Sequence, residues 1–453
     1  MNLLLLIFLP LGAAAPVYLL RRYWTAAVSV SVATILALIG ICARTPLGQT
    51  GYLLGRELFL DDLNRFLLLL FYVLAGLMIL YTWRCPQGWA FCPCLLAILG
   101  LLSGAMLIRT FLIAVFLLEM AALIFVFMIH GRRPAPTGTA LGYLVPQVLA
   151  APCLLLLPWL FESFTLHPEN ALLIRFAVIA LSLGFGILLA AAPFHSWLPA
   201  AVQGAPPMAG ALLICIFSQV NLALVIGVIG DNPWLATDAP TLSVISTSGV
   251  LTALIGGLFA FGQRQPGRLL AYAAISDMGF VLVGLGTGSL SGITAALAHS
   301  VNRSLAVLLV AMSMGALGSH LKRGTASTLR EALRQTPGGT LGYIAGGLAL
   351  GGFPLFNGFA TRWLVYRSLT EFDALFLGAL VLSGVGVVLG YLRSWSVMLE
   401  GSSETGEERE PLMVTVIILS LASLCLLLGL VPGLLVTPLH DILQGIALVG
   451  PGV

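Results

Sequence analysis

Four ionisable residues, Glu119, Asp277, His299 and Arg303, lie inside long apolar runs of a chain in which only 9% of residues are Asp, Glu, Lys or Arg. A lone charge near a bilayer centre costs about 2.5–3.5 kcal/mol on insertion scales. A chain that avoids charge elsewhere yet keeps these four is expected to use them to move protons or ions. His299 and Arg303 are spaced i, i+4 and share one helix face. Asp277 falls on the preceding helix, so a contact to Arg303 or to His299 across the hairpin is expected. Imidazole titrates near neutrality, which favours a functional His299. The bland alternative for Asp277 and Arg303 is a structural ion pair, because buried pairs need not act in function. Glu119 has no partner within its own helix, which favours functional use.

The elements that must position these groups follow from composition. A hydrophobic fraction of 59% over 453 residues describes a polytopic membrane protein, since a soluble domain could not cover so much apolar surface. The apolar stretches predict an all-α fold of about fourteen transmembrane helices, at roughly 20 residues each. They lie near 2–20, 25–43, 64–83, 89–108, 110–130, 138–160, 171–192, 208–229, 240–262, 268–286, 290–316, 339–357, 373–398 and 412–435. The short alternating strands of a membrane barrel are absent from the sequence. In this map Glu119, Asp277 and His299 each sit about nine residues into a helix, a descent of about 14 Å into a layer of about 30 Å. Gln219, Asn221 and Arg303 come out at similar depth. A shared depth suggests a lateral row of proton sites rather than a straight pore.

No Lys or Arg precedes Leu3–Leu6, so the N-terminus reads as a retained first helix; the alternative is a secretory signal with Ala13–Ala15 as its cleavage site. Loops after odd-numbered helices carry Arg21, Arg22, Arg84, Arg132, Arg133, Arg264, Arg268, Lys322, Arg323, Arg330, Arg334, Arg393 and Arg409. Fewer basic residues follow even-numbered helices: Arg44, Arg56, Arg65, Arg109, Arg175, Arg362 and Arg367. This bias puts both termini on the non-cytoplasmic side. The basic loop His320–Arg334 reads as a topology anchor, and no aromatic interleaving marks it for nucleic acid. Cys92-Pro93-Cys94 with Cys85 nearby has no completing ligands for a metal and reads as packing. With no Walker loop, GxGxxG or zinc-protease motif, no cofactor is expected in this chain.

Two Pro/Gly-interrupted segments stand out. One runs from Pro193 through Pro199 to Pro206, and the other from Gly351 through Pro354 to Phe359. Proline removes a backbone donor and clashes with the preceding turn, so both segments should break helices. Paired breaks point to an inverted-repeat transporter with a midplane site.

Pro193–Pro206, PFHSWLPAAVQGAP, resembles the PFHxWLPDAxxxAP signature of the antiporter-like subunits of respiratory complex I, membrane-bound hydrogenases and multisubunit cation/proton antiporters. Arg268–Phe280, RLLAYAAISDMGF, is similar to that family's KRLLAYSSISHMGF helix. His299–Leu305 resembles its HxxxKAL helix, Pro354–Arg362 its PxxxGFxxK break, and Glu119 the glutamate of its fifth helix. The resemblance implies two inverted five-helix repeats with flanking helices. The corresponding regions are 1–108 (flanking), 109–235 (first repeat), 236–400 (second repeat) and 401–453 (flanking helix and tail). It implies a proton route in which Glu119 is the pair glutamate, His299 the neighbouring histidine, Arg303 the central lysine's replacement and Arg362 the exit residue's. Gln219 stands where the lysine partner of Glu119 should be, Ala200 replaces an aspartate, and Asp277 replaces a histidine. The one lysine of the chain is Lys322. Arginine holds its proton where a buried lysine can release it, so the route falls to Asp277, His299, Glu119 and water.

The leading expectation is a proton-translocating subunit of a complex-I-like NADH/quinone-type oxidoreductase in a prokaryotic cell membrane. Its redox centres would sit in partner membrane-complex subunits, and it would carry protons, with sodium as the alternative ion. The alternatives are a subunit of a multisubunit cation/proton antiporter or an energy-converting hydrogenase, and a non-pumping scaffold. Only a short stretch follows Pro432, so the lateral C-terminal helix of the family's longest subunit type is not expected.

Overall fold

The computed structural model describes residues 2–129, 137–237, 240–318, 329–369, 374–399 and 410–444. Arg132, Arg133, Lys322, Arg323 and Arg409, which entered the topology reading, lie outside them. Among the described residues, twelve helices are long and apolar enough to cross a membrane. Two other predicted spans differ. The one near 89–108 is a 17-residue helix, Phe91–Leu107. The one near 339–357 is broken into Pro337–Gly351 and Asn357–Leu369. The last span ends at Leu430, and a separate helix covers Gly433–Gln444. A short helix, Leu329–Gln335, falls where His320–Arg334 reads as a loop.

One feature departs from a purely helical reading. Thr50–Leu53 and Arg56–Phe59 form an antiparallel hairpin whose turn is made by Leu54 and Gly55, both at positive φ. Glycine adopts that conformation without steric cost. The four-residue strands alternate too briefly to stand out beside long apolar runs.

The chain divides into two compact units, Met1–Ala190 with Gly204–Thr241, and Ala191–Gln203 with Leu242–Val453. In the first, the helices Asn2–Leu19, Phe91–Leu107 and Phe111–Ile129 pack in series, with Trp24–Arg44 and Asp62–Arg84 beside them. The Tyr72 and Ser103 hydroxyls hydrogen-bond at 2.9 Å, tying Asp62–Arg84 to Phe91–Leu107. Asp61 caps Asp62–Arg84 by accepting from the Asn64 N–H, which satisfies a first-turn donor. Ser218–Asp231 continues a helix whose preceding stretch, Leu213–Phe217, is a π-turn. Such turns insert an extra residue and often occur at functional sites.

The second unit is built around Leu290–Ala316, a helix buried on every side. Pro266–Gly286, Pro337–Gly351, Asn357–Leu369, Leu412–Leu430 and Gly433–Gln444 pack against it. A helix apolar all round belongs in an interior, and here it carries His299, Asn302 and Arg303 inward. Small residues let the neighbouring helices approach closely. A Cβ at Gly257 would collide with the Ser383 backbone, and one at Gly386 with Gly257 itself. Beside this crossing the Ser276 and Ser383 hydroxyls hydrogen-bond at 2.6 Å, and Ser383 also donates to the Ala253 carbonyl. Without a hydrophobic force between helices in lipid, such close approach and hydrogen bonding supply the association.

Gly257→Val should therefore overpack this crossing at a cost of about 1–3 kcal/mol. Its thermal midpoint in detergent should fall, whereas Gly40→Ala, where added bulk meets nothing within 4 Å, should leave it unchanged.

Candidate functional site

The site in the second unit begins with a backbone problem. Pro337–Gly351 stops at Gly352, which is left-handed (φ 70°), and Leu355 within the break also has positive φ (81°). A helix that stops inside a buried region leaves its last carbonyls without intrahelical donors. Arg362, from the helix after the break, answers them. Its Nη1 donates to the Gly351 carbonyl at 2.9 Å and its Nη2 to the Leu350 carbonyl at 2.7 Å. The negative end of the helix dipole favours a cation at this point. Gly352 is required twice over, since a Cβ there would lie 2.8 Å from Arg362 Cδ and Nη1.

Arg362 Nη2 also reaches Asp277 Oδ1 at 2.6 Å, and both side chains are buried. The guanidinium lies over the Phe280 ring, 4.4 Å from its centroid. His299 completes the group, with Nε2 3.4 Å from the same Asp277 oxygen and Nδ1 2.9 Å from the Thr361 hydroxyl. Thr361 in turn can donate to the Asn357 carbonyl at 3.1 Å. This gives the imidazole two hydrogen-bonding modes. When neutral, with its proton on Nε2, it faces Asp277 across 3.4 Å without a hydrogen bond, while the Thr361 hydroxyl turns to donate to Nδ1. When charged, Nδ1 donates to the Thr361 oxygen, and Thr361 swings its hydrogen to Asn357. By rotating its hydrogen, the Thr361 hydroxyl can meet either protonation state of His299.

The sequence expectation for Asp277 is half met. His299 is a partner, but the cation at the carboxylate is Arg362, 85 residues away, rather than Arg303. Arg303 instead directs its Nε to the Ala274 carbonyl at 3.0 Å. Arg362, placed by resemblance at the exit of the route, is therefore in the same cluster as Asp277. The break is pinned by a reciprocal amide pair absent from the sequence reading. Asn302 donates to the Asn357 carbonyl and Asn357 to the Asn302 carbonyl, each at 3.2 Å. Thr361, Asn302 and Asn357 each adjoin or lie within a motif already noted, which was the available signal.

In the first unit the placements are looser. Gln219 is buried on Ser218–Asp231, whereas Glu119 on Phe111–Ile129 is only half-buried. Glu119 makes no hydrogen bond or ion pair among the described residues. Asn221 donates to the Leu188 carbonyl at 3.4 Å, at the end of the helix Ala171–Leu188. A neutral amide here does what Arg362 does at the other break. The first interruption consists of Leu189–Ala192, with Ala190 at positive φ, then Pro193 and a 3-10 turn at Phe194–Ser196. Pro199 sits in the first turn of Trp197–Gly204, where its missing N–H costs nothing, so it is not itself a break. Pro206 precedes the helix starting at Pro207, and Pro354 lies within the second interruption. Among the described residues no group of three His, Cys, Asp or Glu could hold a metal ion.

Residues 149–390, more than half of the chain, match the family described as NADH:quinone oxidoreductase/Mrp antiporter, transmembrane. The chain belongs to this family. Formate hydrogenlyase subunit 3 of Escherichia coli K12 is 26% identical over 347 residues, covering 69% of this chain and 56% of that protein. NADH-quinone oxidoreductase subunit N 2 of Acidobacterium capsulatum is 30% identical over 286 residues, covering 59% and 57%. The chain thus spans little more than half the length of these relatives. The archaeal membrane-bound sulfane sulfur reductase contains a chain of the same fold, with a TM-score of 0.84 at 18% identity, covering 99% of this chain and 100% of that one. A chain of the Mrp complex from Dietzia sp. aligns at a TM-score of 0.80 and 16% identity, covering 98% and 97%. The Asp277, His299 and Arg362 cluster lies entirely within the family region.

Removing one member of a buried pair strands the other charge and costs about 3–5 kcal/mol. Arg362→Gln should therefore lower the thermal midpoint sharply. The double variant Asp277→Asn/Arg362→Gln should recover part of that loss, which a thermal double-mutant cycle in detergent would measure.

Proposed function

We propose that this chain is a proton-translocating, antiporter-like membrane subunit of a complex-I-like multisubunit oxidoreductase, with its redox centres in partner subunits. The observation that carries the reading is His299, a titratable imidazole buried between Asp277 and the Thr361 rotor at a broken helix. Arginine is always charged, so Arg303 and Arg362 serve as fixed cations while His299 and Glu119 exchange protons. Asp277 supplies the counter-charge that holds Arg362 in place. The chain's place in a family named for both quinone oxidoreductases and Mrp antiporters supports the transport role. The identity of 30% to an NADH-quinone oxidoreductase subunit favours the oxidoreductase setting.

The same reading places the protein in a prokaryotic cell membrane with both termini on the non-cytoplasmic side. The support for this orientation is the gathering of Arg21, Arg22, Arg84, Arg264, Arg268 and Arg393 at ends of odd-numbered spans and the loops beside them. Reporter fusions to either terminus that were active only in the cytoplasm would reverse it.

The deciding experiment isolates the chain with its native partners and measures proton uptake in proteoliposomes. Copurifying flavin and iron–sulfur subunits support the oxidoreductase; small membrane subunits alone point to an antiporter. His299→Ala should slow uptake by about 10²-fold or more, the scale of a lost proton-transfer group, while the complex still assembles. Glu119→Gln should likewise assemble and lose coupled transport. Unchanged uptake in both variants would leave a scaffold role as the reading that fits.

A further inference from the structure

In and around the cluster, several buried polar atoms of the second unit have no hydrogen-bond partner among the described residues: Tyr391 Oη, Trp395 Nε1, His299 Nε2, Arg362 Nε, and Oδ1 of Asn302 and Asn357. Buried polar groups in folded proteins are nearly all satisfied, and a local run of orphans marks where ordered water belongs. Two of these orphans, Tyr391 and Trp395, lie on Ala374–Leu399, Tyr391 between the level of the cluster and Arg393 and Trp395 just past Arg393.

The backbone fixes where Tyr391 stands. A Cβ at Gly384 would lie 2.7 Å from Arg362 Nη1, so residue 384 is level with the guanidinium. Tyr391 is two turns further along the same face, about 10 Å at 1.5 Å per residue. Long side chains on helices lean toward the helix N-terminus, which aims this hydroxyl back toward Arg362 and Asp277. On the far side, the Tyr391 ring packs edge-on against Tyr343, with centroids 5.7 Å apart. Tyr343 belongs to the broken helix Pro337–Gly351 and leans the opposite way, so that its hydroxyl meets half-buried Ser394 at 2.8 Å. Next to Ser394, Arg393 binds the Gln263 carbonyl at the end of Thr241–Gly262.

We propose that Tyr391 is a proton-relay residue connecting the Asp277, His299 and Arg362 cluster to the Arg393 face through water, with Tyr343 and Ser394 forming the surface end. The Tyr391 oxygen accepts a proton from water on one side and releases its own hydrogen to water on the other. No net charge stays on the ring, and no electrons move. The edge-on tyrosine rings narrow the path, so that water passes in file rather than as an open pore.

This inference rests on the proposed transport role, and the test separates the two. In vesicles carrying the full chain with its partners, Tyr391→Phe should assemble normally and lower proton uptake by about tenfold or more. Its solvent isotope effect should also rise, a change that a packing role would not produce. Independently of transport, Tyr391→Cys and Ser394→Cys should be modified by an impermeant cationic thiosulfonate from the Arg393 face, while Leu389→Cys, on the lipid-exposed side, should not. Modification at 391 without any chain-dependent uptake in the wild type would keep the hydrated path and overturn the transport role. Wild-type uptake retained in Tyr391→Phe, or a thiol at 391 that stays unmodified while that at 394 reacts, would overturn the relay.

Discussion

The second unit depends on one buried ion pair placed at a broken helix. Arg362 satisfies two stranded carbonyls, neutralises Asp277 and packs over Phe280 with a single guanidinium. A planar fork with several donors can do all of this at once, where a lysine ammonium could not. The helix break is costly unless its carbonyls are answered, and the arginine is costly unless its charge is matched. Each solves the other's desolvation problem, and the Asn302–Asn357 amide pair locks the two segments in that relation. The arrangement also leaves Asp277 one further partner, and that partner is the titratable His299.

The first unit meets the same backbone problem with weaker chemistry. Asn221 reaches the Leu188 carbonyl through a neutral amide, and Gln219 is neutral as well. Among the described residues the buried charged side chains, Asp277, Arg303 and Arg362, all lie in the second unit, while Glu119 stands half-buried in the first. This asymmetry gives the two breaks different roles. One holds a buried charge pair beside an imidazole, and the other is lined by neutral amides.

Much of this was legible in the residues. Long apolar runs define the spans because backbone in lipid must satisfy itself within each helix, and the buried charges mark the site because each is expensive. The Pro193 and Pro354 segments locate both interruptions. What remained hidden was which cation serves Asp277. Helical spacing shows that His299 and Arg303 share a face, but Arg362 reaches Asp277 only because the break at Gly352 turns its helix inward. That turn depends on a left-handed glycine and on amide bonds between residues 55 positions apart. The Tyr391 hydroxyl was hidden for a similar reason, since an aromatic residue in an apolar helix reads as packing until its neighbours are known. The Thr50–Phe59 hairpin escaped because its strands are short and lie outside any span.

The central claim is that His299, not Asp277, changes charge as protons pass. Isotope-edited infrared difference spectroscopy of the intact complex, with labelled histidine and aspartate, reads both groups when a proton gradient is applied and collapsed. Imidazole bands should change and should vanish in His299→Ala, while the Asp277 carboxylate stays ionised beside Arg362. A protonated-carboxyl band assigned to Asp277, with silent imidazole bands, would contradict the claim and move the proton to the aspartate.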